Sequence, residues 1–168
     1  MKGTLLMEMR IYIANLGKYN EGELVGAWFL PPISMEEVAE KIGLNETYEE
    51  YAIHDYELPF DIGEYESIDE INRLCEMAEE LLDIFPEDDL REIENTFFTS
   101  LADFYEHKED VIIHADCDDM ADVARKYLEE NSLIPEHLIY YIDYEAYGRD
   151  LEYSGQFLVT SKCVYERI

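Results

Sequence analysis

The spacing of apolar positions along this chain changes character several times, and each change marks an element. Met9–Ala14 is dense in β-formers and predicts a first strand. Asn15–Gly22 holds two glycines and two asparagines, which predicts a loop. Glu23–Leu30 predicts a second strand, closed by Pro31-Pro32. Ser34–Glu37 has the form of a capping box, and Met35, Val38, Ala39 and Ile42 follow at helical spacing up to a stop at Gly43. Tyr48–Leu58 predicts a third strand, so the first 60 residues read as a strand–strand–helix–strand unit.

Helical spacing then dominates. Ser67–Glu70 is a second capping box heading Ile68, Ile71, Leu74, Cys75, Ala78 and Leu82, and Pro86 breaks that helix. Leu90, Ile93, Phe97, Leu101 and Phe104 continue an apolar face through one or two more helices. Val111–His114 predicts a short strand, and Met120–Leu128 an amphipathic helix. Pro135 opens a short helical or extended piece, and Gln156–Val164 reads as a terminal strand after Ser154-Gly155. The expected fold is α+β: an elongated chain of three small domains, 1–60, 61–108 and 109–168. Two α+β end domains with small antiparallel sheets flank a helical middle.

Tyr140–Glu152 combines four tyrosines, four carboxylates, Arg149 and Gly148, a glycine able to supply a turn. Its Asp143-Tyr144-Glu145 matches Asp55-Tyr56-Glu57 at an offset of 88, and Met35–Lys41 parallels Met120–Lys126 at an offset of 85. Both copies read as a helix followed by an acidic tyrosine strand, a faint sign that the end domains share one design. Arg149 reads as an ion-pair partner for the acids around it. Aromatic residues are enriched at interface cores, so Tyr140, Tyr141, Tyr144 and Tyr147 are a candidate dimer seam.

Charge changes the picture most. The chain carries 41 Asp+Glu against 12 Lys+Arg, a formal net charge of −29. Asp61–Asp110 alone holds 18 acids and 3 bases. Yet 48% hydrophobic and 13% aromatic content excludes simple acidic disorder. Self-repulsion on this scale opposes compaction, so halophilic adaptation or a basic partner is needed to account for it. DNA, RNA and anionic membranes are poor partners for such a surface. Cys75, Cys117 and Cys163 are odd in number and lack metal-like spacing, which fits free thiols in a reducing cytoplasm. Met1–Met9 is too short and polar for a signal peptide, and no apolar run reaches the roughly 20 residues of a membrane span.

Chemistry finds little foothold. His114-Ala-Asp116-Cys117-Asp118-Asp119 invites a metal reading, with His54, His107 and Cys75 as distant candidates. Counted from Asp116 as a calcium loop, however, the sixth residue is Ala121 and the twelfth Tyr127, where glycine and glutamate are needed. A helix start with Asp at its positive end accounts for the cluster better, so no metal and no cofactor are expected. Acid pairs are everywhere and single out no catalytic site, and there is no phosphate loop or nucleophile elbow. The acid array itself is informative. At one charge per roughly 1.7 Å of duplex axis, a single track of 41 carboxylates would span roughly 70 Å, about 20 bp.

Four segments then carry a family resemblance: Ile11–Trp28, Tyr48–Phe60, Asp116–Met120 and Tyr141–Leu151. They resemble the ArdA antirestriction proteins over most of residues 9–153. The resemblance implies a non-enzymatic DNA mimic, usually encoded on a mobile element. Such proteins take the place of DNA on type I restriction–modification enzymes, and they are elongated three-domain chains that dimerise through the C-terminal domain. Phosphate-mimicking carboxylates are then expected at Asp55, Glu57, Asp61, Glu64, Glu66, Asp69, Glu70, Asp110, Asp116, Asp118, Asp119 and Asp122. An acidic chaperone or adaptor for a basic nucleic-acid-binding protein explains the charge equally well. It does not explain the resemblance.

Overall fold

The fold is taken from a computed structural model of the chain, which describes residues 7–131 and 134–168. Residues 1–6, most of the segment read as too polar for a signal peptide, lie outside the described residues. The architecture is α+β, with two separate three-stranded antiparallel sheets. The chain divides into two compact units, Met1–Arg91 and Glu92–Ile168.

The first unit is built on β1 (Arg10–Asn15), the middle strand of the order β2-β1-β3, with β2 at Gly26–Phe29 and β3 at Tyr51–Glu57. A middle strand is covered on both sides, and Ile11, Ile13, Ala14 and Asn15 are all fully buried. Opposite the Tyr12–Ile13 step the register shifts, because β3 holds one extra residue, His54. Beyond that bulge Asp55 pairs with Tyr12 and Glu57 with Arg10. The expected loop after β1 is instead a short helix, α1 (Leu16–Asn20). The Asn15 side chain accepts from the Lys18 N–H at 3.1 Å, so the residue read as a loop former is a helix N-cap.

The same Asn15 amide donates to the carbonyls of Ile42 (3.0 Å) and Gly43 (3.3 Å), at the end of α2 (Met35–Ile42). That helix stops as predicted, on Gly43 in the left-handed region at φ 73°. Its start differs: Ser34 occupies the N-cap position, but its side chain makes no capping bond. α3 (Ile68–Leu82) follows, and here Ser67 does cap, accepting from the Glu70 N–H at 3.1 Å. Ile68, Ile71, Cys75, Ala78 and Leu81 form its buried face, with Leu81 where the spacing had suggested Leu82.

The division between units falls inside α4 (Glu87–Phe97). In the second unit, α5 (Leu101–Glu106) and a 3-10 turn at Lys108–Asp110 lead into β4 (Val111–His114), the predicted short strand. α6 (Met120–Glu130), a 3-10 segment at Glu136–Tyr141 and α7 (Tyr144–Ser154) come next, then β5 (Phe157–Val159) and β6 (Val164–Arg167). Sheet order is β4-β6-β5.

Three expectations fail here. The single terminal strand over Gln156–Val164 is two strands, β5 and β6, joined through a turn in which the Thr160 N–H bonds the Cys163 carbonyl at 2.9 Å. The second acidic tyrosine strand is the helix α7, so the proposed repeat ends after its helices: Asp55-Tyr56-Glu57 lies on β3 and Asp143-Tyr144-Glu145 begins α7. Gly148 supplies no turn. It sits buried inside α7, where a Cβ would meet the Met120 carbonyl oxygen at 2.6 Å, so α6 and α7 pack with backbone close to backbone.

Candidate functional site

The acids named from the sequence fall into two sets by what each carboxylate touches. In the first unit, Glu57 is gripped by Arg10 from across the sheet, with Nε to Oε2 and Nη2 to Oε1 both at 2.8 Å. The Arg10 guanidinium also lies 4.4 Å over the Trp28 ring. This two-pronged contact holds the Glu57 carboxyl below its ordinary range. Asp61 pairs with Arg91, whose other nitrogen donates to the Leu58 carbonyl at 3.1 Å. Glu70 is held the same way by Arg73, one turn along α3, and its carboxyl is lowered too.

Asp55 accepts from the neighbouring Tyr56 N–H at 2.8 Å and forms no ion pair among the described residues. Glu64, Glu66 and Asp69 form no ion pair among the described residues, and Glu64 and Asp69 are exposed. Asp69 and Glu70 stand in the first turn of α3, where the helix dipole favours negative charge.

In the second unit, Asp116, Asp118, Asp119 and Asp122 cluster at the turn from β4 into α6. Asp119 caps the helix by accepting from the Asp122 N–H at 3.0 Å, and Asp122 reaches back to the Asp118 N–H at 2.9 Å. Asp116 is paired with Lys126 at 3.1 Å, which lowers its carboxyl, and Arg125 stands 3.7 Å from Asp122. The Asp118 side chain forms no ion pair among the described residues. Asp110 ends the 3-10 turn, half-buried, its backbone carbonyl accepting from the Ile168 N–H at 2.9 Å.

His114, first met as a metal candidate, is buried for a different reason. Its Nε2 lies 3.0 Å from Glu166 Oε1, and Tyr127 donates its hydroxyl to the same oxygen. Lys126 Nζ reaches His114 Nδ1 at 3.3 Å. An ammonium has no acceptor, so Nδ1 must accept and the ring proton belongs to Nε2, facing Glu166. Among the described residues no three His, Cys, Asp or Glu side chains are grouped to hold a metal ion. The three cysteines are free and buried, with burial pushing the thiol of Cys75 up to about 12 and that of Cys117 to about 11.

Arg149 corrects its sequence reading. It is exposed on α7 and forms no ion pair among the described residues, although acids surround it in sequence. The tyrosines separate as well. Tyr140 and Tyr141 are 93% and 83% exposed, whereas Tyr144 is half-buried beneath Arg125 and donates to the Ile139 carbonyl. Tyr147 is also half-buried.

Sequence reasoning missed Asn15 and the His114–Glu166–Tyr127 network altogether. Nothing in the local pattern marks either as a buried polar centre.

What the two units share is an imbalance of charge placement. Arg10, Lys41, Arg73, Arg91, Arg125 and Lys126 each face a carboxylate. Lys18, Lys108 and Arg167 lie over the rings of Tyr48, Tyr105 and Phe98. Asp89 is the one buried carboxylate among the described residues, so the remaining acids reach solvent with few cations left to neutralise them. No helix among the described residues is long and apolar enough to cross a membrane. Comparison with curated proteins returns no match. Residues 11–166 match the family model for the antirestriction protein (ArdA), and a match over nearly the whole chain shows that this protein belongs to the ArdA antirestriction family.

Proposed function

We propose that this chain acts in the cytoplasm as a DNA mimic, occupying the DNA-binding groove of a type I restriction–modification enzyme. It blocks both cleavage and methylation there and performs no chemistry of its own. The observation that carries this reading is the placement of charge: Arg10, Lys41, Arg73, Arg91, Arg125 and Lys126 are each engaged by a carboxylate of the chain, and acids far outnumber them at the surface. A groove built to bind phosphates loses nothing in electrostatic attraction when it meets such a surface. Within the acid set, Asp55, Glu64, Glu66, Asp69 and Asp118 are the stronger candidates for partner contact, because none of them forms an ion pair among the described residues. Glu57, Asp61, Glu70 and Asp116 present a charge already partly neutralised, and Asp119 and Asp122 hold a helix start.

Three domains with the acidic middle at 61–108, and a homodimer joined through the Tyr140–Tyr147 region, belong to the same proposal. Exposure makes Tyr140 and Tyr141 the residues to test for that seam. Tyr140→Ser with Tyr141→Ser is expected to shift the species toward monomer in light scattering, and an unchanged dimer mass would move the seam elsewhere.

The function is tested by titrating a purified type I enzyme with this protein at two salt concentrations. Inhibition should be competitive with DNA and weaken at least tenfold between roughly 50 and 200 mM salt. With the charge spread widely, one Asp→Asn or Glu→Gln change should alter inhibition by less than about twofold. Inhibition that DNA does not relieve would overturn the reading, and stoichiometric capture of unrelated basic proteins with equal affinity would favour an acidic adaptor instead.

A further inference from the structure

At the far end of α3 the placement of charge is reversed from what helix electrostatics favours. The carboxyl end of a helix carries partial negative charge and is stabilised by cations. The last turn of α3 has no basic residue, and instead Glu79, Glu80 and the C-cap Asp83 stand there. Beside this turn runs a groove of about 520 Å³ formed by Met7, Met9, Leu30, Pro31 and Leu82, with Glu8, Glu79 and Asp83 on its walls. Leu30 is 57% exposed and Met7 37%, so the apolar floor is open to solvent. Glu8, Glu79 and Asp83 make no ion pair among the described residues. The nearest arginine in sequence, Arg10, is engaged by Glu57.

An apolar trough that ends in carboxylates and a helix C-terminus matches one kind of side chain, an aliphatic stem with a cationic head. We propose that this groove is a docking site for an arginine or lysine side chain of the partner protein. The methylenes would lie on Met7, Leu30 and Leu82, and the charged head among Glu8, Glu79 and Asp83. The inference rests on the reading that the partner is a basic, DNA-binding protein, and it adds a focused anchor to a contact otherwise made of distributed charge. Charge decides the occupant. A second copy of this chain would bring another strongly acidic surface, with most of its cations already engaged.

The probe is an amidated peptide of alternating arginine and leucine, with a citrulline-for-arginine version as the uncharged control. Binding to the full chain is followed through 13C-methyl-labelled methionine signals at about 0.5 M NaCl, where screening shortens charge interactions to roughly 4 Å. The Met7 and Met9 methyls should shift with the arginine peptide, the Met120 methyl should not, and the citrulline peptide should move none of them. Glu79→Gln with Asp83→Asn should weaken peptide binding about tenfold. The equally charge-changing pair Glu129→Gln with Glu130→Gln should weaken it less than about twofold. Leu30→Ser, which alters no charge, should also weaken it.

Equal losses in the two charge pairs, or no loss with Leu30→Ser, would reduce the groove to general acidity and overturn the proposal. So would Met7 and Met9 shifts that depend on protein concentration without peptide, which would assign the groove to self-association. Competition between the wild-type chain and DNA on the restriction enzyme is measured separately. The proposed inhibition therefore stands or falls independently of the groove.

Discussion

Asn15 closes β1 in the first unit and His114 closes β4 in the second, and each is buried with its side chain bonded on more than one side. Their partners differ in kind. Asn15 touches only backbone, the N–H that starts α1 and the carbonyls that end α2. The His114 ring bonds side chains, Glu166 and Lys126, and Lys126 is shared with the exposed Asp116. A neutral amide bonded to backbone is indifferent to the surrounding field of carboxylates. A network containing a lysine is not, because every nearby acid competes for the ammonium. The first unit should therefore keep its polar centre at any ionic strength, and the second should feel salt and surface charge.

The largest effect is expected from breaking the neutral centre. Asn15→Leu leaves the buried Ile42 carbonyl and the part-buried Lys18 N–H without their partner, and with a buried orphan costing about 1–3 kcal/mol a loss of about 3 kcal/mol is expected. Trp28, the chain's one tryptophan, sits on β2 beside β1, and its fluorescence in a urea titration reads this unit directly. A loss below about 1 kcal/mol would mean that water replaces the amide and that the centre is not needed.

Gly148→Ala comes next and tests whether helix packing, rather than the polar network, dominates the second unit. The added methyl would collide with the Met120 backbone at 2.6 Å, and backbone cannot rotate away. Overpacking of this kind costs about 1–3 kcal/mol, and amide exchange across the β4–β6 pair should speed up accordingly. Lys126→Met should cost less, about 1 kcal/mol, by leaving the buried His114 Nδ1 without its donor. Its signature is salt dependence: added NaCl should narrow the gap between variant and wild type in β4–β6 exchange. No comparable narrowing is expected for Asn15→Leu, and equal salt responses would erase the contrast between the units.

Much of this organisation was legible in the chain, and the failures share a cause. Val111–His114 and the run from Leu90 to Phe104 follow from local apolar spacing and lie where that spacing placed them, and the buried face of α3 does so at Ile68, Ile71, Cys75 and Ala78, with Leu81 in place of Leu82 and Leu74 only half-buried. Asp143-Tyr144-Glu145 was misread because its sequence is compatible with both states. Asp143 accepts from the Ala146 N–H at 3.0 Å and starts a helix, whereas Asp55 lies on a strand pinned by pairing with β1. Only long-range pairing separates the two triplets, and no local propensity contains it. Asn15 and His114 were hidden for the same reason, since their partners at Ile42 and Glu166 are distant in sequence. At the surface, acidity was plain from composition, but which acids are neutralised was not. Arg10 finds Glu57 through sheet register alone, and Arg149 forms no ion pair among the described residues despite a crowd of acids in sequence.

That last contrast yields the smallest and sharpest prediction, because two exposed carboxylates are lowered by cations of different geometry. Glu57 lies below its ordinary 4.5, chiefly through its bonds to Arg10, and Asp116 below its ordinary 3.8, chiefly through its bond to Lys126. A carboxylate with a lowered folded pKa contributes stability above its unfolded pKa and loses it as pH falls through the folded value. Both contributions should therefore fade below the ordinary carboxylate range and be intact at neutral pH. Carboxyl 13C titrations should show Glu57 rising toward its ordinary value in Arg10→Gln, and Asp116 doing so in Lys126→Met. The guanidinium makes two parallel bonds and rests on Trp28, so its grip depends on contact geometry. The ammonium makes one bond to Asp116, at an exposed site. At about 0.5 M NaCl the Asp116 shift should shrink more than the Glu57 shift, as long-range attraction is screened before short contacts are lost. Should both shifts shrink together, Arg10 would be holding Glu57 by diffuse charge alone, and Arg10→Lys would then leave the Glu57 titration unchanged.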